Sequence, residues 1–173
     1  TAFYSYVQIF RQKNAKNLQV CDFLCNFVRF FVVTCLKSHN MKTNFGFVRV
    51  AAAVPTVRVA DCAFNVKQVK EQIVEAVEEG VEVICFPELT VTGYTCADLF
   101  FTRQLQQDAL AALEQICDFT RGKPIIVLVG APLKVDNNLF NCSFVMTDGE
   151  VIGVVPKINL PNTGEFYEKR WFT

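Results

Sequence analysis

Histidine is almost missing from this chain: His39 is the only copy. Zinc-type Cys-x-x-Cys pairs are missing too. Cys21 and Cys25 stand four apart and no matching second pair follows, which excludes a structural zinc knuckle on spacing grounds. Neither sign of charge dominates: 17 basic and 17 acidic residues give a formal net charge of +0. That balance removes the basic footprint expected of a nucleic-acid binder. No apolar stretch is long enough to cross a bilayer without meeting a charge, so no membrane partner is expected. A signal-peptide layout is absent, because Asp22 and Arg29 interrupt the early apolar segment and no small-residue cleavage site follows. Repeats and low-complexity tracts are absent as well. What is present is a globular composition, 51% hydrophobic over 173 residues, enough for one domain with a real core. The eight cysteines are scattered through apolar runs. They read as reduced, core-packing thiols of a cytoplasmic protein rather than a disulfide framework.

Residues 1–40 stand apart. Phe3, Phe10, Phe23, Phe27, Phe30 and Phe31 crowd this part, and neither strand nor helix periodicity persists in it. Met41 then opens a segment that reads as an ordinary protein start. The expectation is that residues 1–40 are a non-native extension, translated in from upstream DNA, and that 41–173 form the domain. His39 falls in the extension and receives no role.

From Phe45 the pattern is regular. Phe45–Ala53 reads as a strand ended by Pro55. Asp61 caps a helix in which Val66, Val69, Ile73, Val74 and Val77 recur at helical spacing, and Gly80 closes it. Val81–Phe86 is a short continuous apolar run, the signature of a buried parallel strand. Strand, helix and strand with short links make a βαβ unit. Ala97–Phe101 reads as a short helix. A longer one runs from about Gln104 to Thr120, with Leu105, Ala109, Leu113, Ile116 and Phe119 on one face. Pro124–Gly130 is another buried strand. Leu139–Met146 and Val151–Val155 flank the turn Thr147-Asp-Gly-Glu150 as a hairpin.

Two strand ends carry chemistry. Phe86-Pro87-Glu88 delivers a carboxylate and Val155-Pro156-Lys157 delivers an ammonium, each past a proline that cannot extend the ladder. The end of a buried strand is where open α/β sheets place their sites. In one pocket, the acid could take a proton from a nucleophile and the cation could stabilise an oxyanion. An ordinary salt bridge, or two unrelated surface charges, would give the same spacing.

Phe86-Pro-Glu-Leu89 with Thr92-Gly-Tyr94 and Asp98-Leu-Phe100 resembles the first signature of the nitrilase, or carbon–nitrogen hydrolase, superfamily. Pro156-Lys-Ile-Asn-Leu-Pro-Asn162 with Gly164-Glu-Phe-Tyr-Glu-Lys-Arg-Trp-Phe172 resembles its second. The second stretch is most similar to the N-terminal glutaminase domains of glutamine-dependent NAD synthetases. The resemblance runs from Met41 to the C-terminus and leaves residues 1–40 untouched.

It implies an α/β fold, a partial nitrilase-type αββα sandwich, and a Glu-Lys-Cys triad. Glu88 matches the general base and Lys157 the oxyanion-stabilising lysine. Glu165 matches a second, site-orienting glutamate, and Tyr94 a substrate-pocket tyrosine. Thr163 stands where a second pocket tyrosine is expected. The nucleophilic cysteine of the family follows the lysine, whereas every cysteine here precedes Lys157. Cys85 and Cys142 read as core residues, and Cys96 is an unfavourable substitute. The chain is therefore expected to be a fragment, inactive by itself and exposing apolar sheet surface. For the whole protein the resemblance implies glutamine as substrate, a C-terminal synthetase domain using ATP and Mg, and a homo-oligomer in the cytoplasm. The alternatives are a fragment of a stand-alone nitrilase-family amidase and a non-catalytic binding module on the same scaffold.

Overall fold

The computed structural model describes residues 46–173. The expectations for residues 1–40, including the roles of His39, Cys21 and Cys25, lie outside the described residues.

Strand β1 (Val50–Ala52) leads to helix α1 (Cys62–Glu78), which returns the chain to β2 (Val83–Cys85). The Asp61 side chain accepts the Phe64 N–H at 3.0 Å and starts α1. Gly80, at φ +70°, follows its C-cap Glu79. A 3-10 turn (Ala97–Phe101) precedes helix α2 (Arg103–Phe119), capped by the Thr102 hydroxyl. The long strands β3 (Ile126–Val135) and β4 (Asn138–Thr147) follow, then β5 (Glu150–Pro156) and a closing 3-10 turn (Glu168–Arg170).

The five strands form one sheet in sequence order. β1, β2 and β3 are parallel, and β3, β4 and β5 are antiparallel. Two successive parallel crossovers of the usual right hand put both helices on one face. α2 packs along β3 and α1 packs along α2. On that side β3 buries Val127, Val129, Ala131, Leu133 and Val135, and the helices bury Val69, Ile73, Leu113 and Ile116. The register puts Cys85, Leu128, Val145 and Val155 on the opposite face, where they are half-buried. One sheet with one helix layer is thus the half of an αββα sandwich that the described residues supply.

The expected elements are all present, with shifted limits. β1 is shorter than expected, because Phe47 and Val48 are exposed and pair with nothing in the ladder. β3 runs five residues past Gly130, since its hairpin with β4 continues to the Val135↔Asn138 pair. Val74 turns outward from the expected apolar stripe of α1 and is 40% exposed. Asp148 and Gly149, both at positive φ, make the tight β4–β5 turn expected of Asp-Gly.

Candidate active site

β5 runs antiparallel to β4, and β4 antiparallel to β3, so β5 points the same way as β2. The C-terminal ends of β2 and β5 therefore lie at one end of the sheet, although two strands separate them. Glu88 follows the first and Lys157 follows the second.

The turn bearing Glu88 is an excursion from the β2–β3 ladder. Phe86 N–H bonds to Leu128 O at 2.9 Å, and the next rung is Val91 N–H to Gly130 O at 3.1 Å, so residues 87–90 loop out between them. The loop is closed by Gly93 N–H on Leu89 O at 2.8 Å and by the Thr90 hydroxyl on Pro87 O. Leu89 is fully buried at φ +52°, a conformation that non-glycine residues seldom take away from functional turns. The loop lies directly on Gly130, where a Cβ would sit against Leu89 N and 2.8 Å from Pro87 O. Glycine is required there because two backbones touch. Behind the loop, the buried Asn65 of α1 donates to Val91 O at 3.0 Å and to Arg58 O at 2.9 Å.

At that loop five polar side chains converge: Glu88, Tyr94, Asn141, Lys157 and Glu168. Lys157 Nζ donates to Glu88 Oε1 at 2.9 Å and to both oxygens of Glu168, each at 2.9 Å. The Tyr94 hydroxyl donates to Glu168 Oε1 at 2.6 Å. Asn141 Nδ2 donates to Glu88 Oε1, while the Asn141 carbonyl accepts the Lys157 N–H at 2.7 Å. The Glu168 side chain is 2% exposed, that of Lys157 27% and that of Glu88 40%. The cluster is thus sealed at Glu168 and open at Glu88. Burial works against the Lys157 ammonium, but its hydrogen bonds to Glu88 and Glu168 outweigh that and hold it above the usual lysine range. Burial, then the Glu168 carboxylate, pushes the Tyr94 phenol well above its ordinary value, so it remains a donor.

Glu88 and Lys157 therefore meet directly, and Tyr94 is linked to Lys157 through Glu168. Glu165 does not join them. It is exposed, with no ion pair or hydrogen bond among the described residues, and the place expected of it is occupied by Glu168, three residues on. The reason lies in the local path of the chain. A turn closed by Phe166 N–H on Thr163 O, with Gly164 at φ +63°, leaves Thr163, Glu165 and Phe166 outside. Glu168 N–H then bonds to Pro161 O at 3.1 Å and the 3-10 turn folds its side chain inward. That turn is held by the Arg170 guanidinium, which grips Asp98 with bonds of 2.8 and 2.7 Å, and by Trp171 Nε1 on the same carboxylate at 3.1 Å. Phe172 packs edge-on to Phe100 at 5.0 Å between ring centroids. The Asp98 partners hold its carboxyl at about 2, the Arg170 hydrogen bond contributing most.

No described cysteine bonds to Glu88 or Lys157. Cys142 is buried in β4 and Cys85 half-buried in β2, as core residues should be, and burial raises both thiols. Cys96 is turned away into the core, its thiol on Thr92 O and Gly93 O at 3.1 and 3.3 Å. Among the described residues no group of three His, Cys, Asp or Glu could hold a metal ion, and no helix is long and apolar enough to cross a membrane.

One family model, Carbon-nitrogen hydrolase, matches this chain over residues 49–173. The chain belongs to the carbon–nitrogen hydrolase family. A glutamine-dependent NAD(+) synthetase from Mycobacterium bovis is 38% identical over 128 residues, covering 72% of this chain and 18% of that protein. The crystal structure of a glutamine-dependent NAD(+) synthetase from Cytophaga hutchinsonii aligns at a TM-score of 0.66 with 35% identity, over 73% of this chain and 21% of that one. An amidase from Nesterenkonia sp. aligns at a TM-score of 0.64 with 21% identity, over 73% of this chain and 47% of that one, a likeness of fold alone. The chain therefore spans about a fifth of the length of its synthetase relatives.

Asn141 and Glu168 are the two members of this cluster that the sequence did not single out. A lone amide inside the apolar run Leu139–Met146 was the available signal for Asn141. For Glu168 it was the second acid of Glu-Phe-Tyr-Glu.

Proposed function

We propose that this chain is part of the glutaminase domain of a glutamine-dependent NAD synthetase, in which Glu88, Lys157 and Glu168 serve hydrolysis of the glutamine carboxamide. The observation that carries this reading is the 2.9 Å Glu88–Lys157 contact between two separate strand ends. Identity to synthetases of 38% and 35% supports it over a stand-alone amidase, where the likeness is 21%.

In this reading Glu88 takes the proton of a cysteine thiol brought up by the rest of the hydrolase domain. The thiolate adds to the carboxamide carbon, and the Lys157 ammonium stands beside the oxygen that gains charge. The amide C–N bond then breaks, and the proton on Glu88 goes to the departing nitrogen as ammonia. Water, deprotonated by Glu88, cleaves the glutamyl thioester and releases glutamate. Glu168 touches no reacting atom. It is a positioning residue that fixes Lys157 and receives the Tyr94 hydroxyl, which orients Tyr94 beside the substrate. Ammonia then serves a C-terminal synthetase domain that amidates deamido-NAD with ATP and Mg. None of the residues described is assigned to those two, and the whole works as a cytoplasmic homo-oligomer.

The test is ammonia release from glutamine by the full-length protein encoded by the gene carrying this sequence. Activity is expected in the wild type and should fall at least about 1,000-fold in Glu88→Gln and Lys157→Ala. Glutamine hydrolysis that survives Glu88→Gln overturns the reading.

A further inference from the structure

Asn141 has 3% of its surface exposed and sits in β4 between Phe140 and Cys142, where an amide costs stability unless its hydrogen bonds are made. It makes them in an unusual way. Its side chain donates to Glu88 Oε1, and its main-chain carbonyl accepts the N–H of Lys157 at 2.7 Å. One residue of β4 thus touches both charged partners, and does so from the strand that separates β3 from β5. Lys157 Nζ donates to the same Glu88 Oε1 at 2.9 Å. Oε1 therefore receives two donors, and no described residue donates to Oε2.

We propose that Asn141 is the positioning residue of the base: by anchoring Oε1 it makes Oε2 the oxygen that accepts the proton from the nucleophile and returns it to the leaving nitrogen. This deepens the glutaminase reading and rests on it for the identity of the nucleophile. The physical argument is one of unequal lone pairs. An oxygen already accepting a neutral amide donor and an ammonium is the poorer base of the two. The glutamate terminal torsion is broad, so without an anchor the two oxygens exchange and the free one sweeps an arc. The Lys157 ammonium, fixed by both oxygens of Glu168, holds Oε1 from one direction only. The planar Asn141 amide, held in a strand, supplies a fixed direction. Each catalytic cycle moves one proton, from sulfur to Oε2 and from Oε2 to nitrogen, and Oε1 keeps its donors throughout.

The titratable groups around Glu88 are Lys157 after β5, Glu168 on the closing 3-10 turn and Tyr94 after the β2 loop. All remain in place when Asn141 alone is changed. The test uses the full-length protein with Asn141→Ser, whose hydroxyl is too short to reach Oε1, and with the isosteric Asn141→Asp, which keeps the shape of the strand and removes the donor. Crystal structures of the two variants follow the orientation of the Glu88 carboxylate, and ammonia release from glutamine is measured in parallel. Both variants should lose the single carboxylate orientation that places Oε1 on Asn141 and Lys157. kcat should fall about 10- to 100-fold while KM for glutamine stays within about twofold. A Glu88 carboxylate that keeps its orientation in both folded variants overturns the proposal. If it moves but the wild type does not hydrolyse glutamine, Asn141 still positions Glu88 and the glutaminase reading is what fails. If the wild type hydrolyses glutamine and the carboxylate is unmoved, the reverse holds.

Discussion

Replacing Gly130 by alanine tests whether the Glu88 loop is held by contact between backbones. A Cβ at Gly130 would press on Leu89 N and stand 2.8 Å from Pro87 O and 3.0 Å from Glu88 C, where ordinary contact begins near 3.4 Å. All three atoms are main chain, so no side chain can swing aside, and the loop must retreat by roughly half an ångström or more. The same retreat carries Glu88 Oε1 from 2.9 Å toward roughly 3.5 Å from Lys157 Nζ, where little of the hydrogen bond remains. Overpacking of this kind costs about 1–3 kcal/mol. The misplaced base should lower kcat by about 10- to 100-fold. Urea denaturation reads the first quantity and ammonia release by the full-length protein reads the second. Gly153→Ala is the control, since its nearest neighbours are Val145 side-chain atoms at 3.6 Å. It should change stability by no more than about 0.5 kcal/mol. If Gly130→Ala matches Gly153→Ala in both measurements, the account of the loop is wrong.

The two acids of Glu-Phe-Tyr-Glu should separate cleanly. Glu168→Gln removes a buried carboxylate from Lys157 and should cost about 2–4 kcal/mol in urea denaturation, whereas exposed Glu165→Gln should stay within about 0.5 kcal/mol; equal effects would remove Glu168 from the site. Asp98→Asn loosens the clamp on the closing turn. Because the folded Asp98 carboxyl is held at about 2, below its ordinary 3.8, its contribution is present above the ordinary value and lost as pH falls through about 2. The urea midpoints of wild type and Asp98→Asn should therefore differ at pH 5 and converge as pH falls to 2 and below. An undiminished difference at pH 2 would show that the clamp does not depend on the Asp98 charge.

Local signals carried the helices. Asp61 and Gly80 act within a turn of chain, and the apolar spacing from Leu105 to Phe119 is equally local, so α1 and α2 are located to within a residue or two. Glu88 and Lys157 were legible for a related reason: a proline stops each strand and the next residue is charged. The extent of β3 was hidden, because residues 131–135 include exposed Lys134 and are strand only by pairing with β4. Glu168 and Asn141 were hidden by distance along the chain. Which acid of Glu-Phe-Tyr-Glu turns inward is decided by the Asp98 clamp, 72 residues away from Arg170. The partner that satisfies the Asn141 amide is 53 residues away.

The 69-residue gap between Glu88 and Lys157 has a temporal side. At ordinary ribosomal speeds of about 5–20 residues per second, the carboxylate emerges several seconds ahead of its ammonium. Throughout that interval it is an unpaired acid on a nascent βαβ unit, kept in water. The contact needs β5 seated beside β4, so it closes after the β4–β5 hairpin has joined the sheet.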